Sequence, residues 1–201
     1  MKSGHLLAVA ALMGLCESAC AEDTGPFVYV SVGVAKADFN GKSTDDSRVS
    51  QANGGAAVVS SFNSNPAAYK LNVGYQLATS IGLQFGYGST TSIKYSTSAP
   101  VAAQATEKLQ VLDALIGGSH DIGAGFTLTL RGGVANVRAT GSSGSLVHFS
   151  GSTTQAAAGA GIKYVIDNHL SVRLDFDSFR APAGSQIGQV SVFTAGFGYR
   201  F

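Results

Sequence analysis

Leu170-Ser171-Val172-Arg173-Leu174-Asp175-Phe176-Asp177 alternates without a break: four large apolar residues interleave with one Ser, one Arg and two Asp. Successive side chains of a strand point to opposite faces, so this segment predicts a strand with one apolar face and one charged face. By itself the segment does not say which face is enclosed. That follows from its neighbours.

Seven further segments repeat the pattern. Val28, Val30, Val32 and Val34 oppose Tyr29, Ser31, Gly33 and Ala35. Tyr69, Leu71, Val73, Tyr75 and Leu77 oppose Lys70, Asn72, Gly74 and Gln76, and Ile81, Leu83, Phe85 and Tyr87 oppose Gly82, Gln84, Gly86 and Gly88. Phe126, Leu128, Leu130 and Val134 face away from Thr127, Thr129, Arg131 and Gly133. Ala156, Ala158, Ala160, Ile162, Tyr164 and Ile166 face away from Gln155, Gly159, Gly161 and Lys163. Phe193, Ala195, Phe197, Tyr199 and Phe201 alternate with Thr194, Gly196, Gly198 and Arg200. The remaining segment, about 107–118, is irregular: Leu109 and Val111 share a face, but the same parity reaches Asp113. A bulge near Leu112 would turn Asp113 inward and Leu112, Ala114 and Ile116 outward.

Outside that irregular segment, no apolar face carries a charge, and the opposite faces are mostly Gly, Ala, Ser, Thr, Gln and Asn with scattered charges. A soluble sandwich or ligand-binding barrel encloses its apolar face. Here the large apolar residues have to face outward, which requires lipid around them. In hydrocarbon every backbone polar group must pair internally, so the sheet has to close. The expected fold is all-β: an eight-stranded antiparallel transmembrane barrel. Short turns follow the second, fourth and sixth strands at Ala78–Ser80, around His120-Asp121-Ile122, and at Asp167-Asn168. Long links follow the others at Asp38–Asn65, about Ser96–Thr106, Thr140–Thr153 and Ala181–Gln186. Four outer loops and three periplasmic turns fit an even-stranded barrel.

Composition agrees. Charged residues are 12% and hydrophobic residues 45%, against about a quarter charged in a soluble domain. No apolar run reaches the roughly 18 residues of a membrane-spanning helix. The net charge of +1 excludes the basic surface that nucleic acid demands. Met1–His5 is a short basic start, Leu6–Cys16 an apolar stretch, and Ala19-Cys20-Ala21 offers small residues for cleavage before Glu22. Residues 1–21 therefore read as a signal peptide and residues 22–201 as one barrel domain. Both cysteines, Cys16 and Cys20, fall in the leader, so the exported part has no disulfide or thiol chemistry.

Phe197-Gly198-Tyr199-Arg200-Phe201 resembles the C-terminal assembly signal of Gram-negative outer-membrane barrels, carried by Phe197, Tyr199 and Phe201. Thr129–Val134, Gly159–Tyr164 and Ser171–Phe176 are similar to strands of the OmpA/OmpX-like eight-stranded barrel superfamily. The resemblance implies residence in the cell outer membrane as an integral protein, folding by the assembly machinery, and an OmpA-like barrel without the peptidoglycan-binding domain. With no Trp in the chain, Tyr69, Tyr75, Tyr87, Tyr164 and Tyr199 are left to form the interface girdles.

Lys70, Arg131, Lys163, Arg173, Asp175 and Asp177 share inward parity, and Asp113 joins them if it is bulged inward. Charges in a narrow barrel are tolerable when paired, which predicts an interior polar network of Arg131 and Arg173 with Asp175 and Asp113; the alternative is that some are solvated at the rims. His148 and Ser150 have the spacing of a lipid hydrolase's base and nucleophile. No Glu or Asn follows in position to complete them, and the surroundings read as loop. No metal or cofactor is expected: the scattered histidines have no ligand spacing, and Asp45-Asp46 in a polar loop reads as solvated. The expected role is structural and adhesin-like, not enzymatic. It would be carried by a monomer in contact with lipid, lipopolysaccharide (through Lys36 and Arg180) and a surface ligand. The first loop, with Lys42, Asp45, Asp46 and Arg48, is where such a ligand would bind. A narrow channel for ions or small solutes is the alternative, and a lipid-modifying hydrolase the third.

Overall fold

The computed structural model describes residues 24–39, 42–63, 65–99, 103–143, 147–182 and 187–201. Its elements are β1 (Gly25–Phe39), α1 (Lys42–Ala52), β2 (Val59–Phe62), β3 (Ala67–Ala78), β4 (Ile81–Thr90), β5 (Ile93–Ala99), β6 (Ala103–Gly123), β7 (Phe126–Ser143), β8 (Val147–Val165), β9 (Leu170–Arg180) and β10 (Ile187–Arg200). Every pairing is antiparallel, and the ring β1-β3-β4-β6-β7-β8-β9-β10 closes where β1 meets β10. β5 continues the line of β4, pairing with Ala103–Glu107 of β6 where β4 pairs with Gln110–Gly118. β2 pairs with β5 and so extends the line of β3. The barrel thus has eight lines of strand, two of them interrupted. Pro66 lies at one interruption; it has no N–H to give a ladder, but its carbonyl accepts the N–H of Ala35 at 2.9 Å.

The large apolar side chains stand outside. Val32 is 66% exposed, Phe85 59% and Phe197 69%, and outward-facing positions from Val28 to Val34, Tyr69 to Leu77 and Phe126 to Val134 carry no charge. About nine to eleven residues of tilted strand cross a bilayer; the runs on β3 and β7 reach that length, and the one on β1 is shorter by two residues. All five girdle tyrosines are exposed on this skin. At the end with the short turns, Phe126 packs on Tyr164 and Tyr199 on Phe201, with ring centroids 4.8 and 5.0 Å apart.

Above the lipid belt the pattern inverts along the same strands. On β6, Leu112 and Ile116 face out, but Leu109 and Val111 face in. On β7 the outward Leu130 and Val134 give way to inward Ala135, Val137 and Ala139; on β10 the outward Phe193 and Phe197 give way to inward Val190 and Val192. With Ile93, Phe179 and Ile187 these residues form an apolar core inside the extracellular third. Water surrounds the sheet there, so the ordinary rule of apolar inside and polar outside returns. This corrects the expected bulge near Leu112. Pairing runs without a shift from Ala105 to Asp121 against β7 and from Gln110 to Gly118 against β4, so Leu109, Val111 and Asp113 share the inner face.

Three boundaries also differ. The strands outlast the membrane: β7 reaches Ser143 and β8 starts at Val147, so most of 140–153 is ladder and not loop. The first loop holds α1 and β2, and Asp46 of the helix accepts a hydrogen bond from Tyr95 Oη at 2.6 Å. The β6–β7 turn lies at Ala124-Gly125, beyond His120 and Asp121, with positive φ at Gly123, Ala124 and Gly125. In the β8–β9 turn the Asp167 carboxylate accepts the N–H of Leu170 at 2.7 Å and of His169 at 2.8 Å. These bonds, that of Leu170 first, hold its pKa below the ordinary carboxylate value. Their support is therefore complete at neutral pH and fades as the pH falls through that lowered value.

Val30→Arg, which sets a charge on the lipid-facing belt, is expected to destabilise the barrel by roughly 2–4 kcal/mol in urea titrations in phospholipid vesicles. A loss below about 1 kcal/mol would mean that this face does not meet hydrocarbon.

Candidate functional site in the barrel lumen

Six buried charges form an alternating chain across the middle of the lumen: Asp113, Lys70, Asp177, Arg131, Asp175, Arg173. Lys70 Nζ lies 2.9 Å from Asp113 Oδ2 and 3.0 Å from Asp177 Oδ2. Arg131 Nη2 lies 3.1 Å from Asp177 Oδ1 and 2.9 Å from Asp175 Oδ1, and Arg173 Nε donates to Asp175 Oδ2 at 2.5 Å. Three cations and three anions sum to zero, as a low-dielectric interior requires. The chain continues into neutral groups. Arg173 Nη1 donates to Gln84 Oε1 at 3.1 Å, reaching from β9 to the opposite wall, and Gln84 Nε2 donates to Asn72 Oδ1 at 3.1 Å. The Arg173 guanidinium also stacks on the Tyr29 ring, 4.2 Å from its centroid, and Tyr29 Oη hydrogen-bonds Ser171 Oγ at 3.1 Å.

Glycine makes room for the carboxylates. A Cβ at Gly159 would overlap Asp177 Oδ1, one at Gly161 would overlap Asp175 Oδ1, and one at Gly86 would stand 2.5 Å from Asp113 Oδ1. The inward glycines of β4 and β8 are thus the complement of the acids on β6 and β9. In the same way Gly198 leaves space for the ring of Tyr29.

The other residues singled out from the sequence lie elsewhere. Lys163 is half-buried nearer the periplasmic end, in a depression with Asp167, His169 and Arg200. Ser150 is exposed on β8, paired with Thr140, where the sequence reads as loop; the side chain of His148 lies outside the described residues, as do those of Lys42, Asp45 and Arg48. His120 and Asp121 occupy the last rungs of β6. His169 stacks on Tyr199 at 5.6 Å, and its Nδ1 contacts the Arg200 carbonyl at 2.9 Å. Phe197, Tyr199 and Phe201 are lipid-facing at the end of β10. Among the described residues no three His, Cys, Asp or Glu side chains gather as a metal site. Sequence reasoning missed Gln84, Asn72 and Tyr29 as partners, although their inward parity beside Lys70 and Gly86 was visible. It also missed the apolar layer of Leu109, Val111, Val137 and Val190 that lies over the charges.

A closed sheet with an apolar skin, aromatic ends and an ion-paired lumen defines a small transmembrane β-barrel. The chain belongs to the outer membrane protein beta-barrel domain family, whose model matches residues 7–201, and it is an integral protein of the outer membrane. Solved structures agree in fold. Neisserial surface protein A is 14% identical with a TM-score of 0.60, covering 90% of this chain and 100% of that one. Ail, the attachment invasion locus protein of Yersinia pestis, is 15% identical with a TM-score of 0.57 and the same coverage, 90% and 100%. The N-terminal barrel of Pseudomonas aeruginosa OprF is 16% identical with a TM-score of 0.50, covering 89% and 100%. No curated protein matches the chain.

Asp175 meets two guanidinium groups, so Asp175→Ala is expected to cost about 3–5 kcal/mol in denaturant unfolding followed by circular dichroism. Gly161→Ala, which displaces the same carboxylate, should also destabilise, and exposed Arg180→Ala should stay within about 0.5 kcal/mol. Equal effects of Asp175→Ala and Arg180→Ala would show that the ion chain contributes nothing.

Proposed function

We propose that this protein is a non-conducting outer-membrane barrel whose work is done at its outer surface, as a structural and adhesin-like element. The observation that carries this is the layered lumen. The neutral ion chain is covered on the extracellular side by tightly buried Leu109, Val137 and Val190, each 0% exposed. A water path for ions would have to cross both layers, which argues against the narrow-channel alternative. The hydrolase reading has no support beyond the His148–Ser150 spacing.

The outer rim suits lipopolysaccharide. Lys36, Lys94, Lys108, Arg138 and Arg180 are exposed on five different strands, each alternating with a buried inward residue and lying beyond the apolar skin. Such a ring of cations meets the height at which outer-leaflet phosphates sit. The surface ligand would engage the first loop with α1 and β2. Ail has been solved in complex with sucrose octasulfate, a heparin analogue, at 17% identity and a TM-score of 0.53, which makes a sulfated glycan the first ligand to test. Residues 1–21 are proposed to be removed on export, and Phe197, Tyr199 and Phe201 to be read by the assembly machinery as the barrel inserts as a monomer.

Purified protein in a planar bilayer is expected to give no steady conductance steps; reproducible ohmic steps would overturn the closed reading. Added lipopolysaccharide should raise the unfolding temperature of the wild type. The variant Lys36→Gln/Lys108→Gln/Arg138→Gln/Arg180→Gln should lose most of that shift, and an unchanged shift would remove the phosphate ring from the proposal.

A further inference from the structure

Where the apolar layer meets the ion chain, the lumen is underfilled. Four strands present small residues inward at that height: Ala68 on β3, Gly88 on β4, Ala135 on β7 and Ala157 on β8. β3 and β8 stand opposite each other in the ring. An eight-stranded interior is filled only by its own side chains, so small residues on facing walls leave a gap. The gap is a cavity of about 40 Å³ walled by Leu109, Val111, Leu115, Phe179 and Val192, with Lys70, Asp113 and Asp177 at its charged end.

Gly88 is independent evidence of room. A Cβ at Gly86, Gly159, Gly161 or Gly198 would overlap a neighbouring side chain. One at Gly88 would meet nothing nearer than the Tyr69 carbonyl at 3.6 Å and Lys70 Cγ at 3.8 Å, which are ordinary contacts.

The polar groups of the lining are turned to one another or into the wall. Lys70 Nζ sits between Asp113 Oδ2 and Asp177 Oδ2, and Asp177 Oδ1 faces Arg131. Asp113 Oδ1 lies against Gly86 and has no accessible surface. Thr90 Oγ1 accepts the N–H of Leu109, Ser89 Oγ donates to the Thr90 carbonyl, and Ser178 Oγ accepts from Gln189. A buried water takes about two to four polar partners, and this cavity is a poor site for one.

We infer that this cavity is a binding site for a small nonpolar molecule of two or three heavy atoms, of the size of dioxygen or a short alkane. Its volume equals roughly three of the smallest water sites, and apolar cavities of this kind stay dry and admit apolar guests. The lining gains dispersion contacts that an empty gap forfeits. The guest would bind the folded barrel alone, so it also stabilises it by mass action.

The test uses xenon, dissolved under pressure with the folded barrel in detergent micelles, and ¹³C-labelled Leu and Val methyls. Signals of Leu109, Val111, Leu115 and Val192 are expected to shift along a saturating curve. Lipid-facing Val30 and Leu174 should instead follow the xenon concentration linearly, as partition into the micelle requires. Gly88→Val sends its side chain into the gap and should weaken the saturable response at least roughly tenfold. Resistance to cold SDS, read as a gel shift on boiling, checks its folding, and Ala135→Val takes its place if it does not fold. Should neither fold, the wild type decides alone, and saturation confined to the four cavity residues supports the site. Linear shifts at every methyl would overturn the inference. So would a saturable response that a folded variant retains in full, or a nuclear Overhauser contact from bound water to the cavity methyls.

Discussion

Unpaired peptide groups cannot be left in hydrocarbon, and everything else in this protein follows from how that demand is met. Each backbone N–H or C=O without a partner would cost several kcal/mol in the bilayer, so a sheet that enters it has to return to its own first strand. β1 meets β10 in an unbroken ladder from Phe27 to Ala37, and no open edge faces lipid at that seam. Closure at eight strands leaves a lumen that side chains can fill. The interior is therefore a packing problem, and the residues that solve it are charged.

That interior is built in three layers, each answering to its own surroundings. Apolar residues fill the extracellular third, where the wall is wetted from outside. Six alternating charges cross the level of the lipid belt, where the wall already presents its apolar face to lipid and polar groups are left for the inside. Below it, small cavities lined by Gln84, Ser119, Thr129 and Lys163 reach toward the exposed β8–β9 turn. The ion chain depends on precise complementarity: carboxylates on β6 and β9 fit because β4 and β8 present glycine opposite them. A chain of this kind ties non-adjacent strands together, β3 to β6 and β9, and β7 to β9. It thereby cross-links the wall through the lumen. Its membership of the outer membrane beta-barrel domain family accords with that architecture.

How much of this was legible in the sequence differs by layer. The belt was legible, because period two, the empty charge column and the tyrosines all express one rule over whole strands. Inward parity collected the six charges, but only the barrel's shear and register decide that Lys70 meets Asp113 and Asp177 while Lys163 lies lower. The segment 107–118 was misread as bulged because one polarity rule was applied along its whole length. Leu109 and Val111 obey the rule for water, Leu112 and Ile116 the rule for lipid, on one regular strand. The loops were drawn too long for the same reason: Gly-, Ser- and Thr-rich ladder above the membrane looks like loop when the lipid-facing pattern stops.

By itself, then, the sequence determined the fold class, the number of strand lines, the lipid-facing surface and the set of inward charges, since these depend on side-chain period and on the cost of charge in hydrocarbon. Only the tertiary structure decided which charges pair, which glycines receive them, and which residues fill the lumen at each height. Those outcomes depend on which residues of distant strands reach the same height, a quantity that closure and register set and local pattern does not encode.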